Sequence, residues 1–366
     1  MELIKNYNSP YVKCNIIAFS SICIIFTIIA SLIIFIITFF SLSTLNDFTY
    51  PSSLSNYQSY NNKFDFLNIL LITDDDKLSR YGNDYYSKSY ISRIDVRYNE
   101  WKYSEISSTN YVTKYNRKQR GAELSDILNY NGKIYTFGDK TGIAFELDMI
   151  KTSLIPKMIF NEKDGNKNKP MKIEWATVKG NEMVIGSHGN THEDDLEDYS
   201  KSYVHYVNEK LEHRTESWID KYNFIHSVLN VTKPEGYVTH EAVLYSNMYN
   251  EWYFFPRKVS YEAYDENKDP YLSSEYIVIC NENITECRKY KDPQFTKGRC
   301  FSSIKVVPFD ERIVIYTKSV EIDNLVETYI GALSFEDVKE NENATIVMKE
   351  VKISDYKIEG IEIINE

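Results

Sequence analysis

Five residues that carry a side-chain oxygen recur at a nearly even spacing along the chain. The steps between them are 49, 67, 61 and 57 residues, and the five are Ser125, Glu174, Glu241, Ser302 and Glu359. Hard divalent cations bind oxygen ligands, and Ca²⁺ takes roughly six to eight of them. Three carboxylates that met without a cation would repel one another. The set therefore predicts a Ca²⁺ site, provided that the fold brings the five residues together.

The spacing indicates which fold could do so. A β-propeller blade with its loops takes about 40 to 50 residues, and the region is rich in short β-type runs. We therefore predict an all-β fold, a five-bladed β-propeller whose innermost strands each offer one oxygen to a central channel. Residues 64–73 should form the first strand, and residues 133–137 and 143–147 a hairpin. A short helix is expected near residues 218–229, where apolar residues recur at helical spacing.

Short motifs surround the five residues. They are Leu-Leu-Ile-Thr-Asp-Asp-Asp at 70–76, Arg-Gly-Ala-Glu-Leu-Ser at 120–125, Glu-Trp-Ala-Thr-Val at 174–178, His-Glu-Ala at 240–242, Trp-Tyr-Phe-Phe-Pro-Arg-Lys at 252–258, Phe-Ser-Ser at 301–303 and Glu-Gly-Ile-Glu at 359–362. In this order the motifs resemble the calcium-activated nucleotidase, or apyrase, family. The resemblance covers residues 66–363 and implies a five-bladed propeller with the five residues above as Ca²⁺ ligands.

Three segments depart from the pattern of that family. Lys140 and Lys258 stand where the family usually has Arg, and residues 189–192 read Gly-Asn-Thr-His in place of Gly-Lys-Glu-Trp. Lys keeps the positive charge but lacks the planar fork with which Arg grips a phosphate. The departures therefore concern how the nucleotide is held.

Hydrolysis of a phosphoanhydride needs a carboxylate that orients the attacking water and cations that offset the charge on phosphate oxygens. Asp74 and Asp76 follow the first predicted strand and are expected to position the water, with a solvated acidic turn as the alternative. The expected phosphate contacts are Arg80, Arg120, Arg257 and Lys318. Such a residue taken alone is more often part of a surface ion pair.

Other functional classes lack their signatures. The sequence contains neither a Gly-x-x-x-x-Gly-Lys-Ser/Thr loop nor the nucleophile elbow of a Ser-His-Asp hydrolase. His188 and His192 are four residues apart, but they lie in a polar loop rather than on a helix, which argues against a zinc pair. The net charge is −11, so nucleic acid is not an expected partner.

The N-terminal region predicts a membrane anchor. Residues 16–40 are all apolar, small or hydroxylated, and no charge occurs between Lys13 and Asp47. At about 1.5 Å per residue this run exceeds the roughly 30 Å of a bilayer core. We predict a cytosolic tail at 1–13, an uncleaved signal anchor at 14–45, a stalk at 46–63 and the propeller at 64–366. The positive flank before the span places the propeller in the lumen or outside, as in a type II membrane protein.

Glycosylation sites and cysteines agree with this topology. Three sequons follow the span, at Asn230, Asn283 and Asn343. They can be used only if they reach the lumen. Cys280 and Cys287 could close a short loop in an oxidising compartment, and Cys300 would then be unpaired.

These observations predict a Ca²⁺-dependent hydrolase that releases orthophosphate from nucleoside diphosphates, UDP and GDP first, and also from triphosphates, in the lumen of the endoplasmic reticulum or Golgi. One alternative is an apyrase at the cell surface or secreted from the cell, acting on ATP and ADP. Another is a Ca²⁺-stabilised propeller that binds a partner and has lost catalysis. A homodimer is one assembly that the sequence leaves open.

Overall fold

A computed structural model describes residues 65–74, 79–97, 101–165, 167–190 and 198–364. The predicted cytosolic tail, signal anchor and stalk lie outside these residues, and so does Asp76. Among the described residues, no helix is both long and apolar enough to cross a membrane.

The described part of the chain consists mainly of β-strands, which confirms the all-β prediction. The strands are β1 (Phe66–Thr73), β2 (Arg80–Tyr81), β3 (Asp84–Asp95), β4 (Lys102–Thr113), β5 (Leu124–Tyr130), β6 (Lys133–Gly138), β7 (Ile143–Asp148), β8 (Ser153–Ile159), β9 (Trp175–Lys179), β10 (Glu182–Gly186), β11 (Tyr203–Val207), β12 (His213–Ser217), β13 (Tyr237–Ser246), β14 (Glu251–Ser260), β15 (Tyr276–Asn281), β16 (Cys287–Lys291), β17 (Arg299–Val307), β18 (Asp310–Ile322), β19 (Leu325–Ser334), β20 (Thr345–Ser354) and β21 (Ile358–Ile363). The helix α1 (Ile219–Val228) and two 3-10 helices, Tyr199–Ser202 and Asp269–Tyr271, complete the described elements.

The strands form consecutive antiparallel sheets. Sheet A has the order β21-β1-β3-β4, with β2 beside β3, and sheet B consists of β5 to β8. These two sheets are joined through one parallel pairing between Val112 and Ser153. Sheets C (β9 to β12), D (β13 to β16) and E (β17 to β20) each have four strands. Because β21 pairs with β1, the two ends of the described chain meet in sheet A.

The first strand of each sheet lies at the centre of this arrangement. Strand β5 contacts β9, β9 contacts β13, β13 contacts β17, β17 contacts β21, and β21 contacts β5. The innermost strands therefore form a closed circle. The strands of each sheet then follow one another outwards through short hairpins, such as the Asn131–Gly132 turn between β5 and β6. Both turn residues have positive φ, at 52° and 72°, as Asn-Gly hairpins require.

Apolar cores fill the spaces between successive sheets. Each of five clusters of buried side chains draws its members from two neighbouring sheets. Representative pairs are Leu70 with Leu124 (A and B), Phe137 with Met183 (B and C), Trp175 with Trp252 (C and D), Phe255 with Phe301 (D and E) and Ile69 with Ile315 (E and A). Burial of large side chains supplies most of the free energy that holds such sheets together.

The predicted helix and hairpin are both present. Trp218 and Tyr222 of the helical stripe are buried in the core between sheets C and D, so the stripe packs instead of facing a ligand. Strands β6 and β7 form the hairpin that was expected at 133–147. Cys280 and Cys287 are cross-strand neighbours joined by a disulfide, whereas Cys300 is a buried free thiol.

A close contact fixes the start of β9. Gly186 is the cross-strand partner of Trp175, and a Cβ atom added to Gly186 would lie 2.0 Å from the indole ring. The indole nitrogen of Trp175 donates a hydrogen bond of 3.1 Å to the carbonyl oxygen of Ser187. Trp175 follows Glu174, so this contact also fixes the backbone beside a predicted ligand.

We predict that Gly186→Ala destabilises the protein, because the new methyl group would overlap with Trp175. Overpacking of this kind costs about 1 to 3 kcal/mol in the free energy of unfolding, and occasionally more. Chemical denaturation of the two proteins measures the difference. The double variant Gly186→Ala/Trp175→Phe, which reduces the overlap, should lose less than the sum of its single changes. Strict additivity would contradict the proposed contact.

Candidate active site

The predicted ligands lie on the circle of innermost strands. Ser125 is in β5, Glu241 in β13, Ser302 in β17 and Glu359 in β21, while Glu174 immediately precedes β9. Four of the side chains are at most 3% exposed, and Glu241 is partly buried. The structure thus brings the innermost strands together, and with them the segments that carry the five residues.

Four of these residues share an unusual backbone position. In sheet B, Leu124 pairs with Gly138 and Asp126 pairs with Phe137, so Ser125 is an extra residue without a partner. The same break in register isolates Glu241, Ser302 and Glu359. Each residue therefore occupies a β-bulge. Bulges redirect side chains and are common beside active sites.

Arg257 occupies the point where several of these side chains meet. Its Nη1 atom lies 2.6 Å from Glu241 Oε2, 3.2 Å from Ser302 Oγ and 3.7 Å from Glu359 Oε1. The same nitrogen donates to Ser319 Oγ at 3.3 Å, and Nη2 pairs with Glu321. A positively charged nitrogen is thus surrounded by oxygens from three predicted ligands.

Two lysines that the sequence analysis missed also pair with the glutamates. Lys172 pairs with Glu174, and Lys357 Nζ lies 2.7 Å from Glu359 Oε1. Both occur in the tripeptide Lys-Ile-Glu, at 172–174 and 357–359. Each lysine therefore lies two residues before its glutamate, and this repeat is the signal in the sequence that could have found both.

The oxygens fit a hard cation by their chemistry. In the part of the chain that the structure describes, no three His, Cys, Asp or Glu side chains are close enough to hold a metal ion as they stand. In this arrangement Lys172, Arg257 and Lys357 pair with the three glutamates. Convergence of Glu241, Ser302 and Glu359 on one charged nitrogen nevertheless matches an all-oxygen cation site. The Ser125 hydroxyl bonds within sheet B, donating to Phe137 O at 3.2 Å.

Burial changes the acidity of this cluster. Loss of solvation raises the pKa of Glu174 to about 7, although the Lys172 ammonium favours the charged carboxylate. The charges of Glu241 and Asp139 raise it further. Burial also raises the pKa of Glu359 well above its usual value, against the effect of Lys357. Glu174 and Glu359 therefore hold a proton more readily than a solvated glutamate does.

A pocket of about 280 Å³ opens beside this cluster. Its lining combines acidic, basic and aromatic side chains. They include Glu174, Glu241, Lys172, Lys201, Arg257, Lys258, Tyr237 and Tyr264. Asp269 accepts a hydrogen bond of 2.6 Å from the Tyr237 hydroxyl and also pairs with Lys258. The pocket therefore offers several cations to an anion bound next to the glutamates.

Asp74 belongs to the same charged region. It is 3% exposed, its backbone N–H donates to the carbonyl of Lys357 at 2.9 Å, and its carboxylate lies 3.4 Å from Lys357 Nζ. Lys357 therefore links Asp74 to Glu359. This carboxylate is buried rather than part of a solvated turn.

The remaining predicted phosphate contacts pair with groups other than the predicted ligands. Arg80 donates to Gln119 Oε1 at 3.0 Å, and Arg120 pairs with Glu123, so these two arginines belong to one neighbourhood. Lys318 is 1% exposed and pairs with Asp292 and, at 2.6 Å, with Glu350. These contacts place the Lys318 ammonium inside the protein, between carboxylates.

The raised pKa of Glu174 leads to a pH-dependent prediction. Glu174 takes up a proton near pH 7 in the folded protein but near pH 4.5 in the unfolded chain. The stabilising contribution of this protonation to the folded state is therefore complete below about pH 4.5. It is lost as the pH rises through 7. In Ca²⁺-free buffer, the wild type should therefore lose on the order of 1 to 3 kcal/mol relative to Glu174→Gln between pH 5 and 8. Denaturant unfolding at several pH values measures this difference.

The prediction compares the wild type with Glu174→Gln because buried histidines change the free energy of unfolding with pH in the opposite direction. Burial lowers the pKa of His226 to about 2 and of His240 to about 3, so both destabilise the folded state as the pH falls below 6.5. Their effect cancels between the wild type and Glu174→Gln. The exposed Glu340→Gln serves as the control and should follow the wild type at every pH. A pH-independent difference for Glu174→Gln would refute the assignment.

Comparison with known proteins identifies the family. The apyrase family model matches residues 73–364. The chain is 33% identical to the apyrase of Cimex lectularius over 308 residues, covering 80% of this chain and 81% of that protein. It is 30% identical to the apyrase of Phlebotomus duboscqi over 300 residues, covering 80% of this chain and 86% of that protein.

A vertebrate relative extends the comparison. The chain is 29% identical over 251 residues to the soluble calcium-activated nucleotidase 1 of Rattus norvegicus. This match covers 68% of the chain and spans 60% of the rat protein. Because the family model extends over most of the chain and through the whole circle of innermost strands, the chain belongs to the apyrase family.

Proposed function

We propose that this protein is a Ca²⁺-dependent nucleotide phosphohydrolase. Nucleoside diphosphates, with UDP and GDP first, are its proposed substrates, followed by triphosphates, and orthophosphate is the product. Membership of the apyrase family and the names of its calcium-activated relatives support nucleotide hydrolysis. The observation that carries the proposal is the set of bulged oxygen-bearing residues around Arg257, beside a pocket rich in cations.

The proposed domain is a five-bladed β-propeller at residues 64–366, with sheets A to E as its blades. The closed circle of first strands supports this proposal. The five apolar cores, one between each pair of neighbouring sheets, support it as well. A propeller channel brings one residue from each blade to a common axis without long loops.

The proposed Ca²⁺ ligands are Ser125, Glu174, Glu241, Ser302 and Glu359. When bound, Ca²⁺ would neutralise charge on the phosphate oxygens of the substrate. Binding would also compete with Lys172, Arg257 and Lys357 for the glutamates. Arg257 is therefore proposed to exchange Glu241 for a phosphate, which its planar guanidinium can hold through two parallel hydrogen bonds.

Other side chains of the pocket are proposed to bind the substrate. Lys172, Lys201 and Lys258 line it together with Arg257 and can offset the charge of a di- or triphosphate. Tyr237 and Tyr264 provide aromatic surface, with ring centroids 5.9 Å apart, on which a base could pack. The proposal for Arg80, Arg120 and Lys318 as phosphate contacts has weaker support, because they pair with other groups.

A carboxylate must orient the attacking water. We assign this role to Asp74, together with Asp76, and Asp74 has support from its burial beside Lys357 and Glu359. Lys357 would hold the carboxylate in its ionised form, which accepts hydrogen bonds from water. Attack by this water on the terminal phosphorus would release orthophosphate directly, without a covalent intermediate.

We predict that removal of Ca²⁺ abolishes orthophosphate release and lowers the melting temperature of the full-length protein. The physical reason is that chelation removes the cation proposed to lie between the buried Glu174 and Glu359 and the partly buried Glu241. Mg²⁺ should not replace Ca²⁺ fully, because it requires a tighter octahedron. Phosphate release from UDP, GDP, ADP and ATP, measured with Ca²⁺, Mg²⁺ or a chelator, tests this. Equal turnover with both metals would contradict the Ca²⁺ proposal.

A matched pair of variants tests which carboxylates are involved. Glu241→Gln should raise the Ca²⁺ requirement about tenfold or more, since the charge of the ligands sets affinity. Glu123→Gln should have a smaller effect, because Glu123 pairs with Arg120 and is not a proposed ligand. The reverse ranking would refute the ligand assignment. Ca²⁺-dependent stabilisation without turnover of any nucleotide would favour a binding propeller.

We also propose that the chain is a type II membrane protein whose enzymatic domain faces the lumen of the secretory pathway, with a homodimer as a possible assembly. The basis is the apolar run at 16–40 with its basic flank. Asn230, Asn283 and Asn343 are all exposed, which supports glycosylation, and the Cys280–Cys287 disulfide supports an oxidising compartment.

The topology predicts two results for the protein in its native membrane. It should remain with the membrane during alkaline carbonate extraction, since the apolar run spans the bilayer. It should also lose mass on treatment with a glycosidase. Amino-terminal sequencing provides the decisive measurement, because a cleaved signal peptide would give a mature terminus near residue 45. That terminus would refute the anchor and favour a secreted apyrase.

A further inference from the structure

A buried carboxylate lies among the innermost strands, next to the proposed ligands. Asp126 is 3% exposed. Its Oδ2 atom accepts a hydrogen bond of 2.8 Å from the backbone N–H of Ala176, and Oδ1 accepts one of 3.1 Å from the hydroxyl of Ser303. Oδ1 also accepts the N–H of Ile127 at 2.8 Å, and Lys305 Nζ lies 3.7 Å away. A buried carboxyl group with this many hydrogen-bond partners holds them in fixed positions.

These contacts tie several strands together. Asp126 is in β5, Ala176 in β9 and Ser303 in β17. The Ser303 hydroxyl also accepts a hydrogen bond of 3.3 Å from the N–H of Ile361, which is in β21. One carboxylate therefore links four of the five innermost strands, directly or through a single hydroxyl.

Each link lies within two residues of a proposed ligand. Asp126 follows Ser125, and Ser303 follows Ser302. Ala176 lies two residues after Glu174, and Ile361 lies two residues after Glu359. The spacing matters because Ser125, Ser302 and Glu359 are bulged, so ladder hydrogen bonds do not fix them as they fix regular strand residues.

We propose that Asp126 is a positioning residue that sets the geometry of the oxygen ring and thereby its affinity for Ca²⁺. This inference rests on the proposed Ca²⁺ site. Asp126 is not proposed to touch the substrate. It acts by holding β5, β9, β17 and β21 in the arrangement that aims the ligand oxygens of these segments, in the way that outer hydrogen bonds orient the ligands of metal sites.

The substitution Asp126→Asn isolates this role, because it preserves size while changing hydrogen bonding. An amide has one acceptor oxygen and one donor group. If the oxygen faces Ser303, the amide NH₂ faces the N–H of Ala176, and the link to β9 becomes a contact between two donors. The link between β5 and one neighbouring strand is therefore lost.

The experiment uses thermal unfolding of the full-length protein over a titration of Ca²⁺ alone, without nucleotide. Asp126→Asn should raise the Ca²⁺ concentration that gives half of the increase in melting temperature by about tenfold or more, as changes behind metal ligands do. At saturating Ca²⁺, kcat should return to within about twofold of the wild type. A variant that is merely unstable would unfold earlier with an unchanged Ca²⁺ midpoint.

The matched control is Asp292→Asn. Asp292 is also buried, accepts a backbone N–H from Gln294 at 2.9 Å and pairs with a lysine, Lys318, but it lies outside the innermost strands. This variant should lower the melting temperature and leave the Ca²⁺ midpoint unchanged. Equal midpoint shifts in Asp126→Asn and Asp292→Asn would overturn the proposal.

A second substitution keeps the proposal testable if Asp126→Asn does not fold. Ser303→Ala removes the hydroxyl that joins Asp126 to β21 and should raise the Ca²⁺ midpoint in the same direction, by severalfold. An unchanged midpoint in Ser303→Ala and in any folded Asp126→Asn would overturn the positioning role while the Ca²⁺ site stands. Absence of any Ca²⁺ response in the wild type would instead refute the proposed function itself.

Discussion

Burial of negative charge at the centre of the sheets is the constraint on which this structure depends. Glu174, Glu241 and Glu359 are carried by neighbouring segments of one closed circle of strands, where water cannot solvate them fully. A carboxylate in such a place must be paired, protonated or bound to a cation. Lys172, Arg257 and Lys357 pair with the three glutamates, yet burial still raises the pKa of Glu174 and Glu359. The proposed Ca²⁺ would add positive charge to this site.

Much of this arrangement could be predicted from the sequence. The even spacing of Ser125, Glu174, Glu241, Ser302 and Glu359 depends on chain length per sheet, and the hairpins and helix follow local patterns of turns and apolar residues. The hairpins and the helix depend on residues that are close together in the sequence, and the spacing can be counted directly, so one sequence is enough to predict these features.

Other parts of the site could not be predicted because they depend on partners distant in sequence. Lys318 has the charge of a phosphate contact, yet the fold places it against Asp292 and Glu350, and no local pattern reports that pairing. Asp126 reads as an ordinary strand residue, although its partner Ser303 is 177 positions away. Lys172 and Lys357 are different, because the repeated Lys-Ile-Glu tripeptide is a local pattern that places each lysine two residues before its glutamate.

The bulges explain how one short segment can serve two purposes. In a regular strand, successive side chains point to opposite faces of the sheet. Only every second residue of an innermost strand could then point towards the charged cluster around Arg257. At Ser302 and Ser303 the bulge changes this alternation: Ser302 contacts Arg257, whereas the adjacent Ser303 contacts Asp126. Ser125 and Asp126 form a corresponding pair in β5, and neither belongs to an apolar cluster. The proposed cation ligands and the residues proposed to position them can therefore be consecutive in the chain, at the cost of one ladder position in each bulged strand.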